Sequence, residues 1–227
     1  MTQILSGPRL PPRSGQAKQL VVFLHGYGSD GQDLIDLGQY WQDLLPDAAF
    51  VSPDAPEPCG MSPYGRQWFA LTMRDPDERW RGVNQAQPTL DAFLDAELTS
   101  LGLTDASLAL VGFSQGTMMA LHVGLRRALA PAAILGFSGT LVGPEHLSQA
   151  TARSVDGKPP HVFLLHGDRD EVIPVQALSQ AASSLESVGI ACGTHISHGM
   201  GHGIDQEGLR LGGLFLAKSF GVPIPQA

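Results

Sequence analysis

The stretch Leu108-Ala-Leu-Val-Gly-Phe-Ser-Gln-Gly-Thr-Met-Met-Ala-Leu121 leaves this chain few folds to choose from. It runs apolar into Gly112-Phe-Ser-Gln-Gly116 and leaves as an apolar, helix-compatible segment. Strand, sharp turn and helix in that order predict an elbow with a serine at its point. In the G-x-S-x-G pattern the flanking glycines leave room for a strained backbone that lifts the serine hydroxyl clear of a sheet. So placed, Ser114 is a candidate nucleophile, open to a base on one side and to a substrate carbonyl on the other. The helix that starts just after it aims its unpaired backbone N–H groups at the same spot. A five-residue motif also recurs as a plain glycine turn with an idle serine, so the rest of the chain has to supply a base, an acid and oxyanion donors.

The flanking sequence has the alternation that an elbow of this kind needs. Residues 1–18 are polar, hold Pro8, Pro11 and Pro12, and read as a loose lead-in to one catalytic domain over 19–227. Gln19-Leu-Val-Val-Phe-Leu24 is a short continuous apolar run, as expected of a strand covered on both faces. It ends in the glycine turn His25-Gly-Tyr-Gly28, after which Asp30 is placed to cap a helix carrying Leu34, Leu37, Trp41, Leu44 and Leu45. Ala48–Val51 reads as a second strand. From Cys59 to Arg81 periodicity is lost, and Tyr64, Trp68, Phe69, Met73 and Trp80 collect there. A long irregular stretch rich in such residues suits the wall of an apolar pocket, and equally a loop packed on a sheet. Leu90, Phe93, Leu94, Leu98 and Leu101 mark the next helix, with Pro88 expected near its start or at a kink. Strands at Ala132–Phe137, His161–Leu165 and Ala191–Ser197 follow, with a helix over Val175–Val188 and a last one through Leu209, Leu214 and Phe215. Strands alternating with helices predict an α/β fold, a mostly parallel sheet with helices on both faces. No insertion is long enough to build a large cap domain.

Composition narrows the partners. A chain of 227 residues with 43% hydrophobic content can bury one full core. Fourteen basic against twenty-two acidic residues give a net charge of −8, which disfavours nucleic acid. Cys59 and Cys192 fit no metal or redox spacing and indicate no disulfide framework. Met1 to Gln19 has no apolar core of a signal peptide, and no apolar run is long enough for stable membrane insertion. These features predict a soluble, cytoplasmic protein.

Acyl-transfer chemistry needs its groups close together, and the loops after the carboxyl ends of parallel strands are where an α/β sheet gathers them. The backbone N–H of Tyr27 in the first glycine turn and that of Gln115 after the serine are candidate oxyanion donors. Two acids, Asp168 and Asp170, follow a strand end. One is expected to orient the base and the other to cap the turn opening the next helix. Of eight histidines, His25 and His166 precede glycines at strand ends and read as packed or turn-bonded. His198 and His202 lie in the loop after the last strand, and His202 has glycines on both sides. The order serine, aspartate near 170, histidine near 202 is the order Ser…Asp…His that an elbow fold uses.

With these residues in place, the chain resembles the phospholipase/carboxylesterase family of α/β-hydrolases, which includes small bacterial carboxylesterases and acyl-protein thioesterases. The resemblance rests on Leu24-His-Gly-Tyr-Gly28, Gly112-Phe-Ser-Gln-Gly116, His166-Gly-Asp-Arg-Asp-Glu-Val-Ile-Pro174 and Gly201-His-Gly203, and runs from about Gln19 to the C-terminus. It implies Asp170, the fifth residue of the third motif, as the acid and His202 as the base. It also implies that Gly65-Arg-Gln-Trp-Phe69 lines an acyl pocket, with Trp68 and Phe69 as its wall. Tyr27 stands where the thioesterases commonly carry an aliphatic residue; the expected donor there is backbone, so the mechanism is unaffected. The implied activity is hydrolysis of short- to medium-chain carboxylic esters through an acyl-enzyme on Ser114, with thioesterase or lysophospholipase-type activity as the alternative. The ligand would be a small ester or thioester. No cofactor is expected, and a homodimer is one of the states left open.

Two other classes compete. His195, His198 and His202 give H-x-x-H-x-x-x-H, a ligand-like spacing, but the segment passes from a strand into a glycine-rich loop, so the side chains need not converge on a metal. A non-catalytic binding protein on a hydrolase scaffold is the other.

Overall fold

The apolar runs become strands and the periodic segments become helices, in a computed structural model that describes residues 5–60, 62–72 and 74–224. In chain order the strands are β1 (Arg9–Leu10), β2 (Gln19–Leu24), β3 (Ala48–Val51), β4 (Glu57–Pro58), β5 (Arg66–Gln67), β6 (Leu108–Phe113), β7 (Ala133–Phe137), β8 (His161–Gly167) and β9 (Cys192–Ser197). The helices are α1 (Gln32–Trp41), α2 (Glu78–Leu101), α3 (Gln115–Gly124), α4 (Gln176–Ser187) and α5 (Gln206–Ser219). Seven strands form one sheet in the order β1-β3-β2-β6-β7-β8-β9, parallel throughout except for β1. The remaining two, β4 and β5, make a short antiparallel ladder beside it.

Side-chain alternation builds the two layers. Leu20, Val22 and Leu24 of β2, with Leu108 and Leu110 of β6, face a core shared with α2, α3 and α4. Val21 and Phe23, with Ala109 and Val111, face the other core, against Trp41 of α1 and Leu216 of α5. Both faces being covered explains why these strands read as continuous apolar runs. This is the α/β-hydrolase arrangement, and only a short 3₁₀ segment, Pro144–Gln149, interrupts the connection between β7 and β8.

Three expectations change. Residues 5–18 are not a loose lead-in: β1 pairs with β3, Leu5 is buried, and Arg9 bonds Glu97 of α2 at 2.7 Å. Prolines are tolerated there because β1 is an edge strand. Secondly, α2 begins at Glu78, so Trp80 is helical and Pro88 sits inside the helix. Gly82 lies flush against the Phe69 ring and Val83 and Ala86 are buried, so tertiary packing carries the helix through the proline. Thirdly, α1 stops at Trp41, and Leu44 and Leu45 fall in the turn after it. Met73 lies outside the described residues.

Candidate active site

Ser114 sits between β6 and α3 with φ 53° and ψ −113°, a conformation unfavourable for any residue with a Cβ. The surroundings enforce it. Ser114 N–H donates to Phe137 O of β7 at 2.9 Å, and the Thr117 hydroxyl donates toward both Gly112 O and Phe137 O. A side chain at Gly112 would overlap the backbone of Gly116, and one at Gly116 would overlap the Leu24 carbonyl oxygen. The glycines of the motif are therefore needed for close approach of β6, α3 and β2.

That approach brings the first turn of α3 beside His25-Gly-Tyr-Gly28. His25 is fully buried, its Nδ1 2.8 Å from Gly26 O and its Nε2 accepting Ala55 N–H at 3.0 Å. One donor and one acceptor define a neutral imidazole, and burial lowers its pKa. As expected, this histidine shapes the turn. The backbone N–H groups of Tyr27 and Gln115 meet no acceptor among the described residues.

The loops after β8 and β9 meet on the same side. His202 Nδ1 lies 2.7 Å from Asp170 Oδ2, and the Asp170 side chain is wholly buried. Asp170 Oδ1 also accepts the N–H groups of Val172 and Ile173 at 2.8 Å each. Burial alone would raise the carboxyl pKa; the Ile173 N–H, His202 and the Val172 N–H outweigh it, and the net shift is downward. His166 Nε2 donates to Ile173 O at 2.8 Å and lies 3.2 Å from Asp170 Oδ2, bracing the same turn from within the core. The division of labour expected between the two aspartates is corrected: Asp170 both binds the histidine and caps the turn. Asp168 instead holds the exposed His198 (2.9 Å) and Gly199 N–H (2.7 Å). The His202 ring packs on Phe113, the residue before Ser114, with centroids 5.0 Å apart. The loop bearing it is anchored by Ser138, whose hydroxyl donates to Gly203 O at 3.0 Å. In the sequence Ser138 marks only the Ser-Gly end of a strand; in the structure it takes φ 47° and holds this loop.

Trp68 is a correction. It is 1% exposed, lies tilted against the His25 ring with centroids 5.7 Å apart, and donates its indole N–H to His25 O at 3.0 Å, so it supports the glycine turn. Phe69 borders a cleft of about 360 Å³, with Glu57, Ala70, Thr72 and Gly82 among its walls. The three spaced histidines are not drawn together on one point: His198 and His202 engage different aspartates.

Fold and site together define an α/β-hydrolase. The profile of the phospholipase/carboxylesterase family matches residues 8–220, and the chain belongs to that family. It is 30% identical over 195 residues to Esterase YpfH of Escherichia coli, across 86% of this chain and 80% of that protein. The crystal structure of esterase PE8 superimposes with a TM-score of 0.90 at 48% identity, covering 95% of this chain and 99% of that one. Acyl-protein thioesterase 1 of Saccharomyces cerevisiae is 29% identical over 185 residues, 75% of this chain and 78% of that protein. The protein is accordingly a hydrolase of the carboxylesterase class. No helix among the described residues is long and apolar enough to cross a membrane.

Proposed function

We propose that the protein is a serine carboxylesterase that cleaves short- to medium-chain carboxylic esters through an acyl-enzyme on Ser114. The observation that carries this reading is the His202–Asp170 pair, 2.7 Å apart across two loops, with the His202 ring packed against Phe113, the elbow serine's neighbour. His202, with Asp170 holding Nδ1, keeps Nε2 free to take the proton of Ser114 Oγ as that oxygen bonds to the ester carbonyl carbon. The carbonyl electron pair moves onto oxygen, where the N–H groups of Tyr27 and Gln115 receive it. Collapse expels the alcohol, which takes the proton from His202. Water then repeats the sequence and releases the acid. Residues 19–227 carry this chemistry, in the cytoplasm, with Phe69 as the proposed acyl-side residue, although the cleft it borders is lined by neither Ser114 nor His202.

A thioesterase reading on the same site has support in the likeness to acyl-protein thioesterase 1. Graded p-nitrophenyl esters and acyl thioesters, assayed side by side with fluorophosphonate labelling, test both. Labelling of Ser114 with faster ester turnover is expected. Faster thioester turnover would favour the second reading, and a protein neither labelled nor active would be a binding scaffold.

A further inference from the structure

Gln115 is the first residue of α3, yet its side chain turns away from the helix and is 1% exposed. Its Oε1 accepts Trp68 N–H at 2.9 Å and its Nε2 donates to Phe69 O at 2.8 Å. The amide thus bonds the main chain of a segment more than forty residues away with both its oxygen and its nitrogen. That segment grips the glycine turn at both ends. Gly28 N–H donates to Arg66 O at 2.9 Å and Arg66 N–H to Ser29 O at 2.7 Å. On the other side of Tyr27, the Trp68 indole N–H donates to His25 O at 3.0 Å. The Arg66 guanidinium fixes the segment from beneath, donating to Ala55 O and Pro56 O at 2.8 and 2.7 Å.

The two candidate oxyanion donors, Tyr27 N–H and Gln115 N–H, lie on different loops. Contact of Gly116 with the Leu24 carbonyl sets how near these loops come, but contact alone does not set where an N–H points. A peptide plane is oriented by what its flanking groups are bonded to. The carbonyl of the peptide that carries Tyr27 N–H, Gly26 O, is held within the turn by His25 Nδ1 at 2.8 Å and Ser29 N–H at 3.3 Å. The groups on either side of that peptide, His25 O and Gly28 N–H, are held by residues 66–68, and Gln115 ties that segment to the elbow through a buried side chain.

Resting on the esterase reading above, we propose that the Gln115 side chain is a positioning residue that aligns the Tyr27 and Gln115 backbone donors on a single oxyanion. Its main chain would contribute one donor, and its amide, through Trp68 and Arg66, would orient the other. Losing one donor outright commonly costs on the order of 10² to 10³ in kcat. Misalignment should cost less, because both N–H groups remain.

Gln115→Met keeps the side chain's length and bulk but neither hydrogen bond. The expected result is a fall in kcat of about 10- to 100-fold with KM within about threefold. Affinity for an alkyl trifluoromethyl ketone, whose adduct with serine carries the tetrahedral oxyanion, should drop by the same factor. A purely structural role would lower Tm and leave kcat and ketone affinity at the wild-type level, and that result overturns the proposal. So does a fall in kcat with ketone affinity unchanged. If Gln115→Met does not fold, Trp68→Phe, which deletes the indole donor to His25 O, should show the same paired loss to a smaller degree; wild-type values there would equally overturn it. Fluorophosphonate labelling of the wild-type protein separates the two levels. Failure to label Ser114 removes the esterase reading and this inference together, whereas normal labelling with an unimpaired Gln115→Met removes this inference alone.

Discussion

Asp170 binds His202 Nδ1 with one carboxylate oxygen, 2.7 Å away, and closes its own turn with the other, which accepts Val172 and Ile173 N–H. A single buried group therefore joins the loop after β8 to the loop after β9. Replacing it has consequences for chemistry and for stability at once.

Asp170→Asn should lower kcat by several orders of magnitude, up to about 10⁴, because an amide no longer enforces the imidazole tautomer that leaves Nε2 as acceptor. Asp168→Asn should cost less than tenfold, since Asp168 serves the exposed His198. Steady-state ester hydrolysis on both folded variants decides it. The reverse order of losses would move the acid to Asp168.

Ser114→Ala should leave a folded protein with turnover reduced by on the order of 10⁴ to 10⁶. The bonds that set the elbow come from Ser114 N–H and Thr117, and both survive the change. Ester hydrolysis within tenfold of wild type, with an unchanged melting curve, would rule the serine mechanism out.

His202→Ala should abolish the triad-dependent rate, while His198→Ala should keep it and leave the acid limb of kcat/KM where it was. His198 is largely solvent-exposed and tied to Asp168, whereas His202 is bound to Asp170 and packed on Phe113. A pH–rate profile of each variant makes the comparison. An active His202→Ala protein would shift the base one turn back along the loop.

Stability should begin to fall as the pH drops below about 6.5, through buried histidines. Burial, then the charge of Arg126, pushes His122 down to about 3, and burial lowers His25 as well. Unfolded histidine takes a proton near 6.5, so below that pH the unfolded chain binds protons the folded chain refuses. Each such group weakens the fold by at most about 1.4 kcal/mol per pH unit as pH falls from about 6.5 toward its folded value. Asp170, whose folded pKa is depressed, adds a loss in the same direction only below about pH 4. Melting temperatures of wild type and His122→Gln across pH 7 to 4 should converge toward low pH; parallel curves would refute the assignment.

Arg127→Met should destabilise the fold by about 3 kcal/mol or more. The Arg127 guanidinium is buried and gathers Asp91, Asp95 and Asp105, so its loss leaves three carboxylates facing one another between α2 and the end of α3. Urea titration at pH 7 measures the change, and one below 1 kcal/mol would show that the cluster is solvent-screened.

Local chemistry was legible in the order of residues. The run Gln19–Leu24 is a strand with the bounds its apolar pattern gave, because burial on both faces leaves no room for polar residues. The glycines of Gly112-Phe-Ser-Gln-Gly116 announced a close approach, since a Cβ there meets backbone. The strand-end positions of Asp170 and His202 followed from the alternation of strand and helix. What the sequence alone left undecided depends on partners far away in the chain. Residues 5–18 were polar by composition but became ordered by pairing β1 to β3 and Arg9 to Glu97. Trp68 had the composition of a pocket wall, and only the His25 carbonyl and the Gln115 amide, both distant in sequence, made it a buried support. The two aspartates, two residues apart on one turn, were told apart by the loop after β9, which set His202 against one and His198 against the other. Periodicity and turn chemistry report on neighbours within about one turn of chain. Hydrogen-bond partners brought together by sheet order lie beyond that range, and in this protein they decide which polar side chains face the site and which hold it in place.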